Sequence, residues 1–129
     1  METRVLIVED ESIVALDLEH RLTAMGFAVV GTAGTAAKAL ELVASEHPDV
    51  VLMDIQLRGD MDGIHAAERV QNDFDIPVIF LTAFSDAQSL DRAKRSQAYG
   101  YLLKPFQERE LSIAIELALF KHGAEQELR

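Results

Sequence analysis

The chain has 129 residues, of which 49% are hydrophobic and 26% are charged, and these values are typical of one soluble globular domain. It contains no cysteine, which excludes a disulfide framework, a thiolate metal site and a cysteine nucleophile. Its formal net charge of -10 repels phosphate backbones and anionic membranes, so we expect no direct binding of nucleic acid or of a membrane.

Short apolar runs alternate along the chain with longer segments of helical periodicity. This alternation predicts an α/β fold in which a five-stranded parallel sheet is covered by helices on both faces. The predicted strands, in chain order, are Val5–Val8, Phe27–Thr32, Val50–Met53, Val78–Leu81 and Gly100–Leu103. The predicted helices are Ser12–Met25, Ala36–Ser45, Ile64–Asn72, Asp86–Gln97 and Glu108–Lys121, the last of which can extend further.

Glycine and proline set several of the predicted boundaries. Gly26 is placed to stop the first helix, and the second helix should end before Pro48 because the residue that precedes a proline disfavours the helical conformation. Pro77 suits the first residue of the fourth strand, where no amide donor is needed.

The pattern of the whole chain predicts a single domain over residues 1–129, with residues 122–129 as a C-terminal tail or the start of a linker helix, because no repeat or internal linker is evident. No apolar stretch has the roughly 18 residues of a membrane-spanning helix. The first strand follows Met1–Arg4 without the pattern of a signal peptide, so we expect a cytoplasmic location.

The last predicted helix carries two apolar rows. One row comprises Leu111, Ile115, Ala118 and Leu119, and the other comprises Ile113, Leu117 and Phe120. The two are offset by about half a turn, so the first can cover the sheet. The second row is either buried with the first as one wide apolar face, or it contacts a partner or a second copy of the chain.

Polar side chains follow four of the predicted strands directly. They are Glu9 and Asp10 after the first strand, Asp54 after the third, Thr82 after the fourth and Lys104 after the fifth. Because the carboxyl ends of parallel strands meet at one edge of an open sheet, these groups should lie close together. Each residue alone would also suit a helix cap, a turn or a strand end, but their joint occurrence in this order favours a functional site.

The chemistry of these groups suits a metal ion and a phosphoryl group. Glu9, Asp10 and Asp54 would repel one another unless a cation joined them, and Mg²⁺ binds a few carboxylates while it keeps positions open for water and phosphate oxygens. The Lys104 ammonium can reach a phosphoryl oxygen or the Asp54 carboxylate, and the Thr82 hydroxyl can donate to another oxygen. Asp54 is the candidate nucleophile toward phosphorus because it follows the most continuous buried-strand pattern.

The chain resembles the receiver domains of two-component response regulators over Arg4–Phe120. The matching segments are Val5–Glu11, Val51–Ile55, Met61–Ile64, Pro77–Ala83 and Gly100–Phe106. The resemblance implies a flavodoxin-like (βα)5 fold with strand order 2-1-3-4-5. It also implies that the peptide bond between Lys104 and Pro105 is cis.

The same resemblance implies a role for each site residue. By motif, Asp54 corresponds to the phosphate-accepting aspartate, Glu9 and Asp10 to the acidic metal-binding pair, and Gln56 to the residue whose backbone carbonyl completes the Mg²⁺ shell. Thr82 and Lys104 correspond to the hydroxyl and the lysine that contact the phosphoryl group, and Tyr101 to the aromatic residue of the switch.

The implied function is that of a signalling switch rather than of an enzyme with an external substrate. Asp54 would accept a phosphoryl group from the phosphohistidine of a sensor histidine kinase or of a phosphotransfer protein, and the chain would later hydrolyse it. Thr82 would then move inward and Tyr101 would follow, which changes the surface formed by the fourth helix, the fifth strand and the fifth helix. That surface is also where the resemblance places a homodimer.

Two features depart from the family pattern. Arg58 stands where a proline usually follows the phosphorylation site, and Arg58–Met61 holds one residue more than the common loop. Phe84 is a bulky apolar residue two positions after Thr82, and we predict that it and Gln56 tune the access of water to the acyl phosphate and therefore its lifetime.

Two other functions share this architecture. A Mg²⁺-dependent phosphohydrolase with an aspartyl-phosphate intermediate would have a second acid two residues after the nucleophile, where Gln56 stands. A flavodoxin-like electron carrier would bind a flavin phosphate at the first loop, where Glu9 and Asp10 are unfavourable. We expect the chain either to act alone or to be the receiver part of a longer protein.

Overall fold

The computed structural model describes residues 2–55, 57, 62–83, 88, 91, 92, 94 and 97–128. Within these residues the strands are β1 (Arg4–Val8), β2 (Ala28–Ala33), β3 (Val50–Asp54), β4 (Val78–Ala83) and β5 (Gly100–Lys104). The helices are α1 (Ser12–Ala24), α2 (Ala36–Glu46), α3 (Gly63–Phe74) and a C-terminal helix (Glu108–Glu127). Residues 88, 91, 92 and 94 are also helical, and the rest of the predicted fourth helix up to residue 96 lies outside the described residues.

The five strands pair in parallel in the order β2-β1-β3-β4-β5. This order confirms the expected flavodoxin-like α/β fold. β3 is the central strand, and its residues from Val50 to Met53 are completely buried. The continuous apolar run at this position therefore reflects a strand that is covered on both faces.

Helices cover both faces of the sheet, with an apolar layer beneath each pair. α2 and α3 pack around Leu6, Val51 and Phe80 on one face. α1 and the C-terminal helix pack around Ile7, Leu52 and Leu81 on the other. Successive strand residues alternate between the two layers, as the twofold period of a strand requires.

Side chains cap the helices that surround the sheet. The Thr35 hydroxyl accepts a hydrogen bond from the Lys38 amide at 3.2 Å at the start of α2, which satisfies a donor that has no partner within the helix. α1 ends at Ala24 with Met25 as its C-cap, and the following Gly26 has a φ of 94°, a conformation that glycine adopts without strain. The predicted glycine stop is therefore correct.

The C-terminal helix has one buried and one exposed apolar row. Leu111, Ile115 and Ala118 are completely buried, whereas Ile113, Leu117 and Phe120 are 45%, 56% and 76% exposed. The alternative in which both rows are buried as one face is therefore wrong. None of the helices in the described part of the chain combines the length and the apolar character that a membrane span needs.

The last turns of this helix are attached to the amino-terminal edge of the sheet. Asp75, which follows α3, accepts a hydrogen bond from Gln126 Nε2 at 2.8 Å and lies 3.2 Å from His122 Nε2. The Tyr99 hydroxyl, just before β5, is hydrogen-bonded to the Glu125 carboxylate. These contacts hold the helix on the domain well beyond Lys121.

Candidate functional site

Four charged side chains meet at the carboxyl edge of the sheet. Carboxylate oxygens of Glu9, Asp10 and Asp54 all lie within 4.8 Å of one another. The Lys104 ammonium lies 2.9 Å from Glu9 Oε2 and 3.5 Å from Asp54 Oδ2. The structure thus brings together the acids that follow β1, the acid that ends β3 and the lysine that ends β5.

The register of the strands explains how the lysine reaches the acids. Asp54 pairs with Leu81 of β4, whereas Lys104 pairs with Ala83, two residues further along the same strand. Two residues of a parallel strand span about 7 Å, so the backbone of Lys104 lies beyond that of Asp54. Its long side chain turns back over the end of β4 to reach both carboxylates.

Glu9 is the most deeply buried of these groups, with only 3% of its surface exposed. Burial raises the pKa of the Glu9 carboxyl from 4.5 to about 7, and the neighbouring Asp54 charge acts in the same direction. The hydrogen bonds from Lys104 and from the Glu11 amide, at 2.9 Å and 3.2 Å, oppose this rise without cancelling it. A nearby cation would therefore stabilise the ionised form of the Glu9 carboxyl.

Lys104 remains a cation in this setting. Burial alone would lower the pKa of its ammonium, but the hydrogen bond to Glu9 and the charges of Asp54 and Glu9 outweigh burial, and the net effect is a raised pKa. Among the residues that the structure describes, three carboxylates lie around this one ammonium, so the cluster keeps an excess of negative charge. A small set of hard oxygen donors with that excess fits Mg²⁺.

Gly63 positions the backbone of the candidate nucleophile. A Cβ atom on Gly63 would overlap the backbone oxygen of Asp54 and would lie 2.9 Å from the Cα of Ile55. The Gly63 amide also donates a hydrogen bond to the Ile55 carbonyl at 3.1 Å. The first residue of α3 therefore packs directly on the end of β3, which requires glycine. In the sequence, Gly63 is marked only by its place in a matching motif, and this contact was not predicted.

Asp62 and Arg92 form a second feature that the sequence did not predict. Asp62 caps α3 by accepting a hydrogen bond from the His65 amide at 3.0 Å, and its other oxygen lies 2.5 Å from Arg92 Nη2. Burial would raise the pKa of Asp62, but the bonds from Arg92 and His65 outweigh it and lower the pKa. The pair joins the start of α3 to the segment between β4 and β5.

The remaining predicted residues are placed as follows. Thr82 is buried near the end of β4, and Tyr101, on β5, is 42% exposed. The peptide bond between Lys104 and Pro105 is cis, as the resemblance implied. Predictions that involve Gln56, Phe84 and residues 58–61 fall outside the described residues.

The chain is similar in sequence to known proteins of one family. A family profile described as the response regulator receiver domain matches residues 5–116. The transcriptional regulatory protein PdtaR of Mycobacterium tuberculosis is 41% identical over 116 residues, which cover 90% of this chain and 56% of PdtaR. The chain spans about half the length of the curated relatives it matches.

Two solved structures have a fold similar to that of this chain. The signal receiver domain of a modulated diguanylate cyclase from Desulfovibrio desulfuricans G20 is 35% identical with a TM-score of 0.89, over 97% of this chain and 99% of that one. The receiver domain of PhyR from Erythrobacter litoralis is 41% identical with a TM-score of 0.79, over 92% and 91% of the two chains.

Proposed function

The chain belongs to the response regulator receiver domain family, and we propose that it accepts a phosphoryl group on Asp54 from the phosphohistidine of a sensor histidine kinase or a phosphotransfer protein. Receiver domains act as signalling switches and interact with such donors. The observation that supports Asp54 is its place on the central strand, with the Glu9 and Asp10 carboxylates and the Lys104 ammonium around it.

The transfer requires a carboxylate oxygen that is ionised and accessible. An oxygen of Asp54 attacks phosphorus, the P–N bond of the phosphohistidine breaks, and the imidazole nitrogen keeps the electron pair and takes up a proton. The product is an acyl phosphate on Asp54. With 13% of its side chain exposed, Asp54 is accessible to a donor, and its limited exposure helps to align the reacting atoms.

Lys104 stabilises the added charge. Its ammonium already lies 3.5 Å from Asp54 Oδ2, so a small movement brings it to a phosphoryl oxygen. Such a movement would also free the Glu9 oxygen that Lys104 contacts at 2.9 Å.

Glu9, Asp10 and Asp54, together with the backbone carbonyl of Gln56, would hold Mg²⁺. When bound, Mg²⁺ neutralises charge on the phosphoryl oxygens. Glu9 Oε1 accepts a hydrogen bond from the Glu11 amide at 3.2 Å, which fixes the orientation of this carboxylate before any ion arrives.

The response to phosphorylation would pass through Thr82 and Tyr101. Thr82 is buried beside the site and its hydroxyl would move toward the phosphoryl group, while the half-exposed Tyr101 ring would turn inward to fill the space. The surface of the fourth helix, β5 and the C-terminal helix would change as a result. Tuning of the phosphoryl lifetime by Gln56 and Phe84 remains a prediction, as does a homodimer through that surface.

Neither alternative function gains support from the described residues. The position two residues after Asp54 is a glutamine, which removes the second acid expected of an aspartyl-phosphate hydrolase. A single domain over residues 1–129, a cytoplasmic location and the absence of nucleic-acid binding also remain predictions.

The test is phosphorylation by a small-molecule acyl phosphate with Mg²⁺, followed by intact mass measurement. We expect the wild type to gain one phosphoryl group and Asp54→Ala to gain none. Asp73→Ala, which removes an exposed carboxylate from α3, is the matched control and should behave as the wild type. A phosphoryl group that is still gained by Asp54→Ala would refute the assignment. Binding of beryllofluoride with Mg²⁺ by the same three proteins gives an independent readout.

A further inference from the structure

The segment that follows Lys104 is tied to α1 by an arginine. Residues 105–107 connect β5 to the C-terminal helix. Among the residues that the structure describes, the only hydrogen bond of Pro105 or Phe106 is the one that the Phe106 carbonyl accepts from Arg21 Nη1 at 3.2 Å. Arg21 lies in the last turn of α1. A helix on one face of the sheet therefore holds the backbone that leaves the fifth strand.

Two partners fix the orientation of the Arg21 guanidinium. Its Nε lies 3.1 Å from Asp17 Oδ2, one turn earlier on α1, while Nη1 donates to the Phe106 carbonyl. A guanidinium is planar and its donors point in fixed directions, so two separate partners define both its place and its direction. An arginine held in this way is suited to keeping a carbonyl in one position.

Packing leaves room beside this hydrogen bond. An open cleft of about 170 Å³ lies between α1 and the segment after β5, and Val14, Leu18, Arg21, Lys104 and Phe106 are among the residues that line it. Phe106 is only partly buried against the apolar layer beneath α1. Atoms that face a gap lose the contacts that would otherwise hold them. The bond from Arg21 is therefore what spans the cleft.

The place of this segment matters because Lys104 comes directly before it. Lys104 is the last residue of an edge strand and pairs with β4 on one side only. Its ammonium lies 2.9 Å from Glu9 Oε2 and 3.5 Å from Asp54 Oδ2, so a small shift of its backbone changes both distances. A displacement of roughly 1 Å at a catalytic group can lower a rate by about 100-fold.

We propose that Arg21 is a positioning residue for Lys104: by holding the Phe106 carbonyl, it fixes the backbone after β5 and directs the ammonium toward the oxygens of Asp54 and of the phosphoryl group. The effect on phosphoryl transfer rests on the proposed function, whereas the place of the ammonium is a property of the unmodified protein. Arg21 bonds to Asp17 and Phe106 and acts on the reaction only through Lys104.

The first test measures the accessibility of the Lys104 amine and needs no phosphorylation. Each protein is labelled with a trace of acetic anhydride, and peptide mass spectrometry compares acetylation of Lys104 with that of Lys38, whose side chain is 56% exposed. Arg21→Met keeps an apolar stem and removes the donor. We expect it to raise the ratio about threefold or more, because Lys104 then moves away from its carboxylate partners. Arg21→Lys restores a cationic donor and should recover part of the wild-type ratio. An unchanged ratio in Arg21→Met would overturn the proposal.

Arg69→Met is the matched control. The Arg69 guanidinium lies 3.5 Å from an aspartate four residues away, but Arg69 is on α3, which packs on the other face of the sheet. This variant should keep the wild-type ratio, and an equal rise in both methionine variants would also overturn the proposal. Asp17→Asn removes the carboxylate that orients Arg21 and should raise the ratio by a smaller amount. Circular dichroism checks that each variant is folded.

The second test measures the rate of phosphorylation by a small-molecule acyl phosphate at saturating Mg²⁺. Arg21→Met should lower the maximal rate about three- to tenfold and leave the donor concentration at half-maximal rate nearly unchanged. Arg69→Met should react as the wild type does. A wild type that gains no phosphoryl group would refute the proposed function. A wild type that gains one at the same maximal rate as Arg21→Met would refute the role of Arg21 and leave the proposed function intact.

Discussion

The buried Glu9 carboxyl should make the metal-free protein less stable as the pH rises toward neutrality. Folding moves the pKa of Glu9 from 4.5 to about 7, so the folded state holds this proton more tightly than the unfolded chain does. Below about pH 4.5 the carboxyl is protonated in both the folded and the unfolded state, and its stabilising contribution to the free energy of unfolding is fully present. As the pH rises through about 7, the folded carboxyl also ionises and that contribution is lost.

The magnitude follows from the difference between the two pKa values. At 1.36 kcal/mol for each pKa unit, ionised Glu9 opposes folding by about 3 kcal/mol relative to the protonated form. That is a large share of the 5–15 kcal/mol by which a domain of this size is usually stable. Asp54 faces the same carboxyl and adds to the effect, and the Lys104 ammonium already limits it.

The assay is urea unfolding in the presence of a chelator from about pH 5 to about pH 8. Glu9→Gln should flatten the dependence of the unfolding free energy on pH and should exceed the wild type in stability at the upper end. Glu11→Gln, at an exposed neighbouring position, should keep the wild-type slope. An equal slope for Glu9→Gln and the wild type would show that Glu9 does not cause the pH dependence. Saturating Mg²⁺ should stabilise the wild type more than Glu9→Gln at about pH 8.

Two further predictions concern α3 and use the same unfolding measurement. Gly63→Ala should destabilise the fold by about 1–3 kcal/mol and weaken Mg²⁺ binding, because its Cβ overlaps the Asp54 backbone oxygen. Gly123→Ala is the control, because a Cβ there meets nothing within 4 Å. It should stabilise the C-terminal helix by up to about 1 kcal/mol. Equal effects of the two substitutions would contradict a role for the contact between Gly63 and Asp54. Asp62→Ala should cost about 1–2 kcal/mol near pH 7 through the lost cap and the lost contact with Arg92. The pKa of Asp62 is lowered in the folded state, so the cost of the substitution should shrink only in acid, as the pH falls through that folded-state pKa. A cost that grows in acid would refute this role of Asp62.

Four of the five strands could be predicted because each is an apolar run followed directly by a polar residue. The predicted bounds of the second strand were wrong by one residue at each end. Phe27 was expected to begin it, but the Phe27 amide bonds to the Leu22 carbonyl at 3.0 Å and so belongs to the end of α1. At the other end, Ala33 joins the strand because its carbonyl accepts the Glu9 amide at 2.8 Å. The choice at Ala33 depends on Glu9, a partner that is distant in sequence.

The grouping of the charged residues was also accessible from the sequence, since parallel strands present their carboxyl ends at one edge. The distances within the group could not be predicted from the sequence. The closer approach of Lys104 to Glu9 than to Asp54 depends on strand register, and the raised pKa of Glu9 depends on its burial. The contact of Gly63 with the end of β3 depends on how closely a helix approaches a strand, which no local pattern encodes.

The hydrogen bond between Lys104 and Glu9 joins residues that are 95 positions apart. β5 is the last strand in the chain and lies at the edge of the sheet, so it docks onto a surface that β4 must already provide. Closing a loop of this length costs conformational entropy, and contacts of such long range slow folding. A partly folded or truncated chain without β5 would keep its clustered acids but would have no ammonium to balance them. The charge balance at this edge of the sheet therefore depends on residues from both ends of the chain.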